Sequence, residues 1–207
     1  MAAKRLPADS PDGKGQRGVV EAPGLWRLDG FRGRIAELSG EASAAALSLA
    51  FRLVLEAQER GEPAAWVTGS SRSFFPPDVA ETGVDLDALV VVRLLCAKLA
   101  PRAADLLLRS GGFGLVVVDL GGEARMPLAV QSRLGGLARK HGAALLFITE
   151  KPSRAPSLGP LVSLRVETRR LEKDGDGYLC EARALKDKRL GIGWRHLEAC
   201  HAPDGLR

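Results

Sequence analysis

Two kinds of hydrophobic patterning divide this chain. Up to residue 150, short apolar runs alternate with longer stretches of helical period. Residues 33–38 (GRIAEL) alternate and then meet Gly40, which predicts a short strand. Ser43 to Arg60 is rich in Ala and Leu, with its charges gathered at the C-terminal end, and predicts a largely buried helix stopped by Gly61 and Pro63. Strands are predicted over 64–69 and 87–94, with a loop over 70–78 that carries Phe74, Phe75, Pro76 and Pro77. A helix follows from Cys96 to Ser110, weakly broken by Pro101. Residues 113–122 (FGLVVVDLGG) form the strongest strand signal: continuously apolar, bounded by glycines, and carrying Asp119 at its end. Such runs belong to strands buried on both faces, hence to a parallel sheet covered by helices. A helix over 127–142, a buried strand over 143–150 and a Pro/Ser loop over 151–159 come next. Beyond the loop the pattern alternates residue by residue and turns at Asp174–Gly177, which predicts an antiparallel hairpin. The predicted fold class is α/β: a mainly parallel sheet flanked by helices, closed by a C-terminal antiparallel hairpin.

Composition narrows this little. The chain has 207 residues, 45% hydrophobic and 27% charged, with room for one substantial core. No apolar run is long enough to span a membrane, and the first twenty residues contain no secretory apolar core, so a cytoplasmic protein is expected. Residues 1–22 read as a flexible polar tail and 23–207 as a single domain. The net charge of +5 permits contact with nucleic acid or an acidic partner without requiring it. Three scattered cysteines (Cys96, Cys180, Cys200) and three histidines sharing no motif predict free thiols, no disulfide framework, no metal and no cofactor.

The candidate chemistry begins at Gly40. A strand, a glycine and a loop running into a helix is the layout of a phosphate-binding loop, whose pattern is G-x-x-x-x-G-K-[ST]. Here Ala45, Ala46 and Leu47 stand where the second Gly, the Lys and the hydroxyl belong, and Ser48 comes one position too late. Backbone N–H groups at the helix start remain, but the lost Lys and hydroxyl are worth about 1.5–3 kcal/mol per charged hydrogen bond. A packing role is favoured over an ATPase. Asp119 stands where a magnesium-holding acid would end a strand; without the Lys it reads as a capping or network residue. The basic residues of 165–195 are interspersed with acids and read as a salt-bridged face. Tyr178 and Trp194 are the only aromatic residues near it, too few for a base-stacking platform. Phe74 and Phe75 are candidate partner anchors or fold back on the core, and Trp194 is a further candidate anchor, in a closing segment read as a partner-binding helix end or as fraying.

With these pieces in order, residues 24–199 resemble the core of the RecA recombinases. "GRIAELSGEASAAALSLAF" is similar to the recombinase phosphate-loop segment, with Gly40 at its first glycine, Ala46 in place of the Lys and Leu47 in place of the hydroxyl. "AWVTGSS" follows the strand that ends on the catalytic Glu, where Ser70 stands. "FGLVVVDL" keeps Asp119. "LLFITE" places Glu150 where the γ-phosphate-sensing Gln belongs. "ARALKDKRLG" resembles the closing hairpin, whose Lys-x-Lys reaches the neighbouring subunit's ATP; Lys186 and Lys188 hold those positions, followed by Arg189. The DNA-gripping loops are shortened to Gly121–Met126 and Lys151–Gly159, and the polar tail stands in place of the N-terminal docking helix.

A RecA-like core without ATPase residues resembles the ImuA family, accessory proteins of damage-induced translesion mutagenesis. It is also similar to SulA, the cell-division inhibitor of FtsZ, which is shorter and lacks the Lys-x-Lys hairpin. The ImuA resemblance implies a non-enzymatic protein whose partners are an ImuB-type polymerase homologue and RecA, with at most weak single-stranded DNA binding. Lys186, Lys188 and Arg189 are then candidates for docking on a recombinase subunit, capping or disassembling its filament. The alternatives are SulA-like inhibition of FtsZ and a residual ATPase or DNA-binding module.

Overall fold

A computed structural model of the chain describes residues 20–21, 25–40, 44–69, 76–80, 82–122, 125–172 and 177–200. In chain order the elements are β1 (Val20–Glu21), α1 (Leu28–Phe31), β2 (Ile35–Gly40), α2 (Ala44–Glu59), β3 (Ala64–Gly69), α3 (Pro76–Ala80), β4 (Leu89–Leu94), α4 (Ala100–Ser110), β5 (Leu115–Gly121), α5 (Leu128–His141), β6 (Ala144–Glu150), β7 (Leu164–Glu172), β8 (Tyr178–Asp187) and β9 (Trp194–Cys200). The strands form one sheet in the order β1-β9-β8-β7-β2-β6-β5-β3-β4. From β7 to β4 all neighbours run parallel. The β7–β8 and β8–β9 pairs are antiparallel. The predicted fold class is the observed one.

The central strands are buried on both faces because helices cover both. On one side α1 and α2 pack on Leu38, Trp66, Val117 and Leu146. The rings of Phe51 and Trp66 stack there at 4.4 Å between centroids. On the other side α4 and α5 pack on Val67, Val116, Val118, Leu145 and Phe147. Alternate residues of each strand feed opposite cores, which is why these strands read as continuous apolar runs. Helix α2 stops at Gly61, whose φ of 70° no β-branched or bulky residue adopts cheaply and whose N–H bonds to Gln58 O at 2.8 Å.

Five local readings need correction. Pro101 does not break a helix. It sits in the first turn of α4, where its missing N–H has no intrahelical partner to lose, and Ala97–Leu99 form a separate 3-10 turn before it. The first strand ends two residues later than expected, so Gly40 is its last residue rather than part of a loop. The closing segment is neither helix end nor fray but strand β9. Trp194, His196, Glu198 and Cys200 share one face of it: His196 stacks on Trp26, Glu198 pairs with Arg52, and Cys200 lies 3.1 Å from Cys180. Leu197 is on the other face and is exposed. Beyond Trp194 the inward residues are His196, Glu198 and Cys200 while Leu197 points outward, so hydrophobic alternation did not reveal the strand. Val20 and Glu21, inside the segment read as tail, pair parallel with Trp194 and Arg195 and extend the sheet. The predicted 70–78 loop holds the short helix α3 at its end; Ser70, Phe74 and Phe75 lie outside the described residues.

Candidate functional site

Parallel pairing brings the predicted nucleotide-site residues to one edge of the sheet. Gly40 is in register with Glu150, Asp119 with Thr68 and Ile148, and Gly121 with Thr149. The C-terminal ends of β2, β6, β5 and β3 therefore meet beside the start of α2. This is where open parallel sheets place their ligand crevice.

The side chains there serve packing. Ala45 is fully buried and Ala46 is 4% exposed, both in the core beneath α2. Leu47 packs against the same core. The methyl group of Ala46 thus faces protein rather than solvent. Ser48, one position late, lies 3.0 Å from the Tyr178 hydroxyl. Asp119 is buried, and its Oδ1 accepts the Gly121 N–H at 3.2 Å. Gly121 needs that support because it turns the chain out of β5 at φ 67°. Glu150 is half-buried at the end of β6. Among the described residues no group of His, Cys, Asp and Glu is arranged to hold a metal ion.

What the sequence did not single out is a buried ionic network beneath the shortened loops. Glu37 of β2 is fully buried. Its carboxylate pairs with Lys151 Nζ at 2.5 Å and accepts from the Thr149 hydroxyl and the Leu158 N–H, each at 2.9 Å. Lys151 also donates to Pro156 O at 2.7 Å. Arg165 adds a second anchor, donating to Ser39 Oγ at 3.1 Å, to Pro152 O at 3.0 Å and to Ala155 O. The loop over 151–159 is therefore bolted to the sheet at both ends. One signal was available: an acid inside a strand buried on both faces must find a partner.

The Lys-x-Lys hairpin divides into a structural middle and two solvent-side cations. Asp187 is buried and accepts from Arg34 Nη2 at 2.7 Å, from the Arg189 N–H at 2.9 Å and from Trp194 Nε1 at 3.1 Å. Trp194 is 6% exposed and holds this acid, so it is not an exposed anchor. Lys186 and Lys188 both turn to Pro160 O, at 3.4 and 3.1 Å. Burial, with Lys188 beside it, lowers the Lys186 ammonium below its ordinary pKa. Arg189 is exposed and reaches Arg32 O at 2.8 Å. A cavity of about 420 Å³ adjoins Lys188 and Arg189 and is also lined by Arg139, Ser132 and Ser163. Elsewhere on the hairpin the basic residues are matched: Arg183 to Glu167 at 2.6 Å, Arg195 to Glu181 at 3.1 Å, and Arg170 over the Tyr178 ring at 3.7 Å. The salt-bridged reading of that face holds.

A family model, the RecA N-terminal domain, matches residues 21–140. The chain belongs to the RecA N-terminal domain family. Protein RecA of Chlorobium limicola is 27% identical over 194 residues, covering 76% of this chain and 55% of its own length. Protein RecA of Aquifex pyrophilus is likewise 27% identical over 194 residues, with 56% of its length covered. Protein RecA of Teredinibacter turnerae is 33% identical over 119 residues, 58% of this chain and 34% of its own. The chain thus spans about half the length of the first of these relatives. Within this RecA-like core the matched segment runs from β1 nearly to the end of α5, which includes Gly40, Ala46 and Asp119. The hairpin with Lys186 and Lys188 lies beyond it. No helix among the described residues is long and apolar enough to cross a membrane.

Proposed function

We propose that this chain is a non-catalytic RecA-like accessory protein of the ImuA type, acting in cytoplasmic, damage-induced translesion DNA synthesis. Its proposed partners are an ImuB-type polymerase homologue and RecA. The observation that carries this reading is Ala46, an alanine in the core where a nucleotide-binding RecA-like protein needs a solvent-facing lysine. A fluorescent ATP analogue at micromolar concentration is therefore expected to show no saturable change in anisotropy. Hydrolysis of a nucleoside triphosphate that is lost in Asp119→Ala would overturn the proposal.

The cationic end of the hairpin supports docking on a recombinase. Lys186 is half-buried and Lys188 exposed, their ammonium groups sharing one carbonyl, and Leu190 and Ile192 stand 61% and 70% exposed just beyond them. Cations rimmed by exposed apolar side chains suit a protein surface that carries a phosphate. In this mode the Lys186/Lys188 face meets the ATP of a loaded recombinase subunit, while the chain's own Ala46 face recruits no further ATP-bridged subunit. The filament is capped. Lys186→Glu with Lys188→Glu is expected to abolish binding to ATP-loaded RecA in a pull-down, with unfolding unchanged. Undiminished binding sinks this docking mode.

For the polymerase homologue, the proposed seat is the outer edge of β4. It pairs only with β3 among the described residues, and Val90 and Leu95 beside it are 44% and 89% exposed. An extended segment adds to such an edge through main-chain hydrogen bonds. Recovery of ImuB should fall when its recombinase-like segment is removed; equal recovery excludes this seat.

A further inference from the structure

A cleft opens on the face of the sheet opposite α2, and none of Gly40, Ala46, Asp119, Glu150, Lys186 and Lys188 lines it. It lies between α4 and α5, above the end of β5, with a volume of about 700 Å³. Leu120, Met126, Val130, Leu134 and Leu158 make it apolar, and Met126, Leu134 and Leu158 are themselves buried. Lys98, Arg102 and Arg125 stand exposed at its border. We propose that this cleft is a docking site for a short acidic, apolar peptide segment of a partner protein.

Three features carry the proposal. The first is uncompensated charge. Among the described residues the lining includes one acid, Asp105, and it is consumed by Arg109 and by Arg133, whose Nη2 donates to Asp105 Oδ2 at 3.1 Å. No ion pair among the described residues involves Lys98, Arg102 or Arg125. Arg102 sits in the first turn of α4 and Lys98 just before it, and that turn contains no acid. The positive end of the helix dipole disfavours cations there, so nothing among the described residues accounts for their placement. A carboxylate-bearing ligand does.

The second feature is the missing aromatic ring. Among the described residues no Phe, Tyr or Trp lines the cleft. A single strand of nucleic acid gains much of its affinity from bases stacked on such rings. Phosphates would meet the cations here, but the bases would meet only aliphatic walls. Leu, Ile or Phe side chains of a peptide match those walls, and 700 Å³ is within the range of sites that bury a ligand.

The third is preorganisation. The Arg133–Asp105 pair ties α5 to α4 across the cleft. The Met126 N–H bonds to Leu158 O at 3.3 Å and Gln131 Nε2 to Met126 O at 2.7 Å, joining both shortened loops to the cleft wall. A site held open in this way spends less of its binding energy on ordering.

The test is selection from a random dodecapeptide display library on the full chain, followed by anisotropy with the enriched peptides carrying a fluorophore. Enriched peptides are expected to combine Asp or Glu with Leu, Ile or Phe, and to weaken steeply as salt is raised. Arg102→Glu and Val130→Trp, which reverse the border charge and fill the cleft, should each weaken binding about tenfold or more. Because Val130→Trp risks the fold, Lys98→Glu, at an exposed position, provides a second charge test, and thermal unfolding confirms each variant. The proposal is overturned if no peptide is enriched, if the enriched peptides lack acids, or if Arg102→Glu and Lys98→Glu leave affinity unchanged. It is also overturned if an oligothymidylate displaces the peptides and binds the cleft more tightly, which would make this a nucleic-acid site.

Discussion

Replacing Asp187 by alanine will lower the unfolding free energy by about 3–5 kcal/mol, the cost of leaving a buried partner charge unmatched. The Asp187 and Arg34 side chains are 1% and 4% exposed, and they meet at 2.7 Å. Arg34 keeps its bonds to Ser163 and Gly30 in the variant but loses its counter-charge. Trp194 Nε1 loses its acceptor at the same time, so the start of β9 loosens with the end of β8. Urea unfolding followed by tryptophan fluorescence reads both effects. A midpoint equal to that of the unaltered chain would show that the pair contributes nothing net.

The same acid sets a pH dependence. Burial raises the Asp187 pKa, but the Arg34 guanidinium, the Arg189 N–H and Trp194 outweigh it and hold the carboxyl below its ordinary value. A group with a depressed folded pKa contributes stability that is fully present above its unfolded pKa, about 3.9, and is lost as pH falls through the folded value. Stability should therefore drop on the acid side of about pH 4, and the gap between the unaltered chain and Asp187→Asn should narrow there. A gap that stays constant into acid would show that Asp187 is not the titrating group.

The second large effect is at Glu37. Glu37→Ala leaves the Lys151 ammonium, 6% exposed, without its carboxylate, and strips the Leu158 N–H and Thr149 hydroxyl of their acceptor. A loss of about 3–5 kcal/mol is expected, with loop 151–159 freed from the sheet. Trypsin should then cut at Arg154 faster than in the unaltered chain. The double variant Glu37→Leu with Lys151→Met, which replaces the pair by apolar groups of similar size, should regain most of the loss. If the double variant is as unstable as the single one, the ion pair is not what holds the loop.

The network explains what has become of the two loops. They are the segments 121–126 and 151–159, which follow the ends of β5 and β6. Here the second is drawn back onto β2 by Glu37 and onto β7 by Arg165, and the first meets it through Met126. Ala45, Ala46 and Leu47 pack into the core beneath α2, while this polar network ties the loop to β2 and β7.

Much of this was legible in order along the chain. The runs at 113–122 and 143–150 could only be strands buried on both faces, and their glycines marked the ends. The absence of a Lys at 46 was a matter of reading one residue. The remainder depended on partners far away in sequence. Glu37 and Lys151, Arg34 and Asp187, and Cys180 and Cys200 are each unremarkable until the sheet brings them together. Strand β9 was hidden because, after Trp194, its inward face is built of His196, Glu198 and Cys200, which find partners on Trp26, Arg52 and Cys180.

By itself, then, the amino-acid sequence determined the parallel α/β core, its helical cover and the alanine at position 46, since apolar period and residue identity are local properties. Only the tertiary structure decided which charges are buried, which cations remain at the surface and where a cleft opens between α4 and α5. Those follow from the pairing of distant segments, and a charge becomes structural or free only when its surroundings, and so its solvation, are known.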